Sequence, residues 1–265
     1  MEFFNKTRYA KTGKYNGYSI VFFHGHNHSA FNYNYIYEDG VRKRKCYFLD
    51  YLQRLSTLFI YDRPEEMVRF NNAENKKTDF ELYLKLIKKT NINWHCKNLN
   101  EFLKVKKVKQ PYVLVAHSIG SLYALKYAKM FPEQIKQVFI LDPPQFIPSI
   151  ARSVFSNKLS TNEITRLVFK LIKTPNNEKI LRKLDYHAES IPYFLLNLDC
   201  PLYTFFNIDT NGDNKLTYRF NELLTKLNTN NYQATFYKNR DHYLNETNPL
   251  GIVNKIDTFI KSKRP

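Results

Sequence analysis

The chain predicts an α/β fold: a mostly parallel sheet flanked by helices, with a small helical cap inserted into it. Three observations carry that prediction. Short runs rich in apolar, β-branched and aromatic residues alternate with stretches whose apolar residues recur at helical spacing. Several of the runs are apolar throughout, as strands covered on both faces are. The runs stop at Gly, Asp or Pro, in His24-Gly25, Asp62-Arg63-Pro64 and Asp142-Pro143-Pro144, where a strand gives way to a loop.

Taken in order, Ser19-Ile20-Val21-Phe22-Phe23 reads as a buried strand ending at His24-Gly25. Cys46 to Leu55 reads as a helix with Cys46, Leu49 and Leu52 on one face. Thr57-Leu58-Phe59-Ile60-Tyr61 is the next strand, and the polar residues 65–77 form a loop. Thr78 and Glu81 make a capping box ahead of Leu82, Tyr83, Leu86 and Ile87, which predicts a helix there. Another helix is expected from about Leu99 to Val105. Residues 112–117 form a strand, followed by a helix from Ser121 to Met130 that ends near Phe131-Pro132. Val138-Phe139-Ile140-Leu141 is a further strand.

From there to Cys200 the strand rhythm lapses. Ser160 and Glu163 form a second capping box, followed by Ile164, Leu167, Val168, Leu171 and Ile172 at helical spacing, and a second helix is expected from Asn177 to His187. This interlude, at about 146–195, reads as the cap. The rhythm resumes with a strand at Leu202-Tyr203-Thr204-Phe205-Phe206, a helix from Phe220 to Leu227 and a last strand at Gln233-Ala234-Thr235-Phe236-Tyr237. Asn248-Pro249 opens the final helix as N-cap and first-turn proline. Ile252, Val253, Ile256, Phe259 and Ile260 form its buried stripe. Neither a repeat nor a linker divides the chain, so 1–265 reads as one domain carrying the cap.

Composition narrows the class further. The 265 residues are 43% hydrophobic, which suffices for a substantial core. Glycine is scarce at 7, which makes Gly25 and Gly120 informative. The formal net charge of +17 favours acidic partners. The lysines are scattered among Asn and Tyr, however, and no helix-turn-helix, zinc-finger spacing, arginine-rich arm or RNA-binding aromatic motif is present. Specific nucleic-acid binding is therefore not expected. Peripheral contact with an anionic membrane surface stays open. The basic runs Arg42-Lys43-Arg44-Lys45, Lys104 to Lys109 and Lys261 to Arg264 read as solvated faces and a tail. Three cysteines, Cys46, Cys96 and Cys200, form neither an even set nor a CxxC pair, which points to a reducing, cytoplasmic location. Met1 to Lys6 lacks a signal-peptide core, and no apolar run approaches a membrane span.

The chemistry centres on Ala116-His117-Ser118-Ile119-Gly120, between an apolar run and a helical stretch. A serine on a sharp strand-to-helix turn, with small residues two positions to either side, projects its hydroxyl from the sheet edge. A hydroxyl also needs a base, a group to orient that base, and donors for the oxyanion that forms. In a parallel sheet those parts come from the carboxyl ends of the strands. His24-Gly25-His26 follows the first strong strand, Asp142 follows 138–141, Asp209 and Asp213 follow 202–206, and Asp241-His242 follows the last.

With this ordered set the chain resembles the α/β-hydrolase family, in its serine hydrolase, esterase and lipase-like branch, from Ser19 to the end. It departs from the usual pattern in having Ala116 where the elbow's first glycine stands. The resemblance implies that Ser118 is the nucleophile and His242 the general base. It also implies that the backbone N–H groups of Ile119 and His26 bind the oxyanion. The usual position of the acid suggests Asp209, with Asp213 and Asp142 as alternatives. The expected activity is cleavage of a carboxylic ester or thioester of a hydrophobic or acyl substrate, with no cofactor. Phe155, Leu167, Phe169 and Tyr193 of the cap and the aromatic loop Phe31 to Tyr35 suggest the apolar substrate, although plain core packing explains them equally well. A dehalogenase or epoxide hydrolase of this fold is expected to carry Asp at position 118.

Other readings compete. The same fold hosts lyases, perhydrolases and other non-hydrolytic enzymes. A non-catalytic binding protein on the same scaffold is a further alternative, favoured by the charge and disfavoured by Ser118 and His242. His24, His26 and His28 alternate like metal ligands, but the intervening Gly and Asn indicate a loop, and no metal is expected. The stretch from Asp209 to Leu216 echoes a calcium loop, yet Phe220 stands where its bidentate Glu belongs. His95, His117 and His187 read as structural.

Overall fold

The computed structural model describes residues 9–25, 33, 35–38, 41–63, 91–143, 198–208, 210, 214–228, 230–238 and 244–262. In chain order the described elements begin with strands β1 (Tyr9–Thr12), β2 (Ser19–Phe23), β3 (Tyr35–Glu38) and β4 (Val41–Lys45). Helix α1 (Phe48–Leu55), β5 (Thr57–Tyr61), α2 (Ile92–Val105), β6 (Tyr112–His117) and α3 (Gly120–Met130) follow. A 3-10 turn (Pro132–Gln134) leads into β7 (Ile135–Leu141). The remainder is β8 (Leu202–Ile208), α4 (Lys215–Leu227), β9 (Tyr232–Lys238), α5 (Leu244–Thr247) and α6 (Pro249–Lys261).

Seven strands form one sheet in the order β1-β5-β2-β6-β7-β8-β9. All its pairings are parallel except that of β1 with β5. The expected mostly parallel α/β architecture is thus present, and its physical basis is visible in the strands. Every residue of β2, β5 and β6 is buried, because helices cover both faces. Tyr112, Leu114 and Ala116 of β6 pack on the side of α2 and α3, with Cys96, Leu99, Leu103 and Leu122. Val113 and Val115 pack on the opposite side, with Phe48 and Leu52 of α1 and Ile252 and Ile256 of α6. Fully burying each such side chain contributes about 1.5–3 kcal/mol. Tyr203 of β8 stacks on Phe259 of α6 at 4.3 Å and on Phe139 of β7 at 5.0 Å, locking that helix to the sheet.

Several elements differ from the sequence expectations. Helix α1 starts at Phe48 rather than Cys46. Helix α2 starts at Ile92 rather than near Leu99, because the Asn91 side chain caps it by accepting from the Trp94 N–H at 2.9 Å. Helix α4 begins at Lys215 rather than Phe220. Pro249 opens α6 as expected, while Asn248 stands at the N-cap position without a side-chain capping bond. Strand β1 and the β3–β4 hairpin were not anticipated. The hairpin includes the basic run Arg42 to Lys45, which therefore lies in a strand. The capping boxes at Thr78 and Ser160, and the whole cap at about 146–195, lie outside the described residues. No helix among the described residues is long and apolar enough to cross a membrane.

Candidate active site

The register aligns the carboxyl ends of the central strands. Phe23 of β2 lies opposite Ala116 of β6, His117 opposite Leu141 of β7, and Leu141 opposite Phe205 of β8. The segments after β2, β6 and β7 therefore emerge side by side, with the β6 exit in the middle.

Ser118 is that exit. Its φ is +52°, in the left-handed region that a residue with a Cβ occupies at a cost of about 1–2 kcal/mol. Its N–H donates to the Leu141 carbonyl at 3.0 Å, and its own carbonyl accepts from the Ser121 N–H at 2.9 Å. The last residue of one strand and the first turn of α3 thus hold the strained backbone between them. Between Tyr112 and Leu125, Ser118 alone is not buried. Ile119 stands at the N-cap of α3, so its N–H is among the first-turn donors that have no partner within a helix. These are the features that the sequence assigned to a nucleophile elbow.

Two glycines let the parts approach. A Cβ on Gly120 would collide with the Phe23 carbonyl oxygen and come within 2.8 Å of that of His24. Both are backbone atoms, so α3 can approach the end of β2 only with glycine there. A Cβ on Gly25 would stand 3.0 Å from His117 Nδ1 and 3.4 Å from Ser118 Cβ. The Gly25 segment therefore lies beside the elbow, with little room for a side chain of its own. His117 is buried and meets the ring of Tyr33 edge-on at 5.8 Å. It serves as packing beneath the elbow, as the sequence suggested.

Sequence reasoning treated Asp62 and Arg63 only as a strand stop. Both are buried, at the same edge of the sheet. Arg63 Nη1 donates to the His24 carbonyl at 3.0 Å, and Nη2 donates to the Gly25 carbonyl at 3.2 Å. The guanidinium carbon lies 5.0 Å from the centre of the Tyr123 ring on α3. His24 Nδ1 lies 3.0 Å from the Gly25 carbonyl oxygen, and its Nε2 lies 4.0 Å from Asp62 Oδ1. A carbonyl only accepts, so Nδ1 carries the proton in that contact. The only available signal was a charged pair placed directly after a strand on the serine's own edge.

Asp142 is the one acid candidate among the described residues. It is buried, with φ +41°. Its N–H donates to the Phe205 carbonyl at 2.7 Å, and its Oδ1 accepts from the Asn207 N–H at 3.1 Å. The structure thus turns this carboxylate toward the end of β8. His242, Asp209, Asp213 and the His26 N–H lie outside the described residues. Topology gives their strands: β9 ends four residues before His242, and β8 ends one residue before Asp209.

Among the described residues the other candidates, the cysteines and His95, are buried. Burial pushes the Cys96 thiol far above its ordinary range and the Cys200 thiol up to about 12, and Cys46 is also buried. Neither Cys96 nor Cys200 offers a thiolate at neutral pH. His95 is in the core between Trp94 and Tyr123, where burial first, and the Arg63 charge second, push it down to about 3. Among the described residues no group of three or more His, Cys, Asp or Glu could hold a metal ion.

No protein-family model and no curated protein sequence matches the chain. Solved structures do. The α/β-hydrolase enzyme MGS-MChE2, from the metagenome of lagoon sediments at Mar Chica, Morocco, superposes with a TM-score of 0.55. It is 18% identical, over 97% of this chain and 95% of that one. A marine microorganism esterase matches with a TM-score of 0.53 and 13% identity, over 96% of this chain and 98% of that one. AqDC, which recognises and ring-cleaves the Pseudomonas quinolone signal, matches with a TM-score of 0.59 and 13% identity, over 97% and 96%. The chain has the α/β-hydrolase fold.

Proposed function

We propose that this protein is a serine hydrolase that cleaves a carboxylic ester or thioester through an acyl-enzyme on Ser118. One observation carries the reading: a serine at φ +52° between a central strand and its helix, partly exposed while its neighbours are buried. Strain of this kind persists where the surrounding structure enforces it, and it clusters at reacting groups.

In this reading His242 takes the Ser118 hydroxyl proton as Oγ bonds to the substrate carbonyl carbon. The carbonyl oxygen becomes an oxyanion, held by the N–H groups of Ile119 and His26. Collapse breaks the bond to the alkoxide or thiolate, which leaves with the proton from His242. Water, deprotonated by the same histidine, then attacks the acyl-enzyme and releases the acid. Asp209 orients the imidazole, with Asp213 or Asp142 as the alternative. The segment at about 146–195 covers an apolar acyl group. The ring-cleaving neighbour supports a second reading, in which the same scaffold runs a non-hydrolytic reaction.

A fluorophosphonate probe separates the two. The wild type is expected to label, and Ser118→Ala to lose the label entirely. Folded wild-type protein that does not label refutes the hydrolase reading. Asp→Asn changes at 209, 213 and 142, assayed on a short-chain aryl ester, identify the acid as the one whose loss slows turnover by several orders of magnitude. If all three variants keep wild-type turnover, the triad as drawn is wrong.

A further inference from the structure

We infer that Arg63 is a positioning residue for oxyanion binding: its buried guanidinium fixes the Gly25–His26 peptide from behind, and the strength of the oxyanion site depends on that grip. This rests on the serine hydrolase reading and extends it to a residue with no part in the triad.

The argument begins with the peptide bond. A peptide group is planar, so fixing the direction of its carbonyl fixes the direction of its N–H. The Gly25 carbonyl belongs to the same peptide group as the His26 N–H, the expected second oxyanion donor. Two donors converge on that carbonyl oxygen, Arg63 Nη2 at 3.2 Å and His24 Nδ1 at 3.0 Å. Arg63 Nη1 holds the preceding carbonyl, that of His24, at 3.0 Å. One rigid fork thus spans two consecutive peptides, in a geometry that guanidinium offers and ammonium does not.

The setting makes the grip stiff. Arg63 is 5% exposed, so its hydrogen bonds do not exchange readily with water. Tyr123 supports the guanidinium from α3, the same helix whose first turn supplies the Ile119 N–H. The donor on the Gly25 side and the donor on the elbow side are therefore referenced to one element. The Gly25 segment also lies beside Ser118, where a Cβ added at Gly25 would stand 3.4 Å from Ser118 Cβ. A small rotation of this peptide would change the donor's aim at an oxygen bonded to the carbon that Ser118 attacks. Preorganised donors of this type are worth about 10²–10³ in kcat each, and displacing one forfeits part of that.

The test uses the full chain with Arg63→Lys and Arg63→Gln. Both are compared with the wild type for kcat and KM on an aryl ester, for affinity toward a trifluoromethyl ketone, and for Tm. The ketone forms a tetrahedral adduct with an oxyanion. The expected result is a fall in kcat of about 10-fold for Lys and about 100-fold for Gln, with KM within twofold. Ketone affinity should fall by the same factors as kcat. A purely structural role would lower Tm without this parallel loss. If Arg63→Gln does not fold, Arg63→Lys, which keeps the charge, carries the test. Folded variants with kcat and ketone affinity within twofold of a labelling wild type overturn the inference and leave the hydrolase reading intact. A rise in KM at constant kcat overturns it too, making Arg63 a substrate contact. A wild type that neither labels nor turns over overturns both.

Discussion

The left-handed backbone at Ser118 makes a prediction that does not depend on knowing the substrate. Ser118→Ala and Ser118→Gly both delete the hydroxyl, so both should abolish fluorophosphonate labelling. They differ in a single Cβ. At φ +52° that Cβ costs about 1–2 kcal/mol. Replacing it with hydrogen removes the cost, while glycine's greater freedom in the unfolded chain returns about 0.5–1 kcal/mol of it. The packing given up is small, since Ser118 is not buried.

The balance leaves the glycine variant more stable than the alanine variant by roughly 0.5–1 kcal/mol. For a chain of 265 residues unfolding with about 2.1 cal/mol/K per residue, that is about 1–2 °C in Tm. Differential scanning calorimetry of the two variants side by side resolves a difference of this size. An alanine variant that melts at or above the glycine variant would refute a strained elbow, and with it the observation on which the functional reading stands.

Two further predictions follow from the same neighbourhood. Gly120→Ala pushes a Cβ into the Phe23 and His24 carbonyl oxygens, so α3 must move off the end of β2. The expected loss is about 2–4 kcal/mol, seen as a Tm lower by about 4–8 °C together with reduced labelling, and a variant with unchanged Tm contradicts the close approach. His95, pushed down to about 3 chiefly by burial, remains neutral in the folded chain, while the unfolded chain protonates it as pH falls through 6.5. Its contribution to stability is therefore intact above pH 6.5 and is lost toward pH 3 at about 1.4 kcal/mol per pH unit. Melting at pH 6 and pH 5 should show a drop that shrinks by about 2 °C in His95→Gln, and an equal drop in both proteins rules this histidine out as a source of acid lability.

What was legible in the sequence follows the physics of burial. The central strands are covered on both faces, so Ile20 to Phe23 and Tyr112 to Val115 read as uninterrupted apolar runs and their order along the chain could be seen. Edge elements carry no such mark. Strand β1 is Tyr-Ala-Lys-Thr and β4 is Val-Arg-Lys-Arg-Lys, compositions that hydropathy assigns to solvent, and it is the pairing of β1 with β5 and of β4 with β3 that makes them strands. Helix α2 was cut short because Asn93, His95, Lys97 and Asn98 interrupt the apolar pattern of its first turns, although His95 lies in the core.

Asp62 and Arg63 escaped the sequence reading for the opposite reason, and that reason bears on function. Charged residues are almost never buried without specific partners, because desolvation costs several kcal/mol per ion. A fold seeking stability alone gains little from placing an arginine under a loop, where apolar side chains of equal volume would serve as well. Here the buried guanidinium is directed at two backbone carbonyls of the segment that lies beside Ser118. In the proposed hydrolase its worth lies in the direction it imposes on those peptides, because a direction is what an oxyanion donor must have. In that proposed hydrolase the elbow holds the nucleophile, and the buried fork behind Gly25 sets which side of it the substrate oxygen occupies.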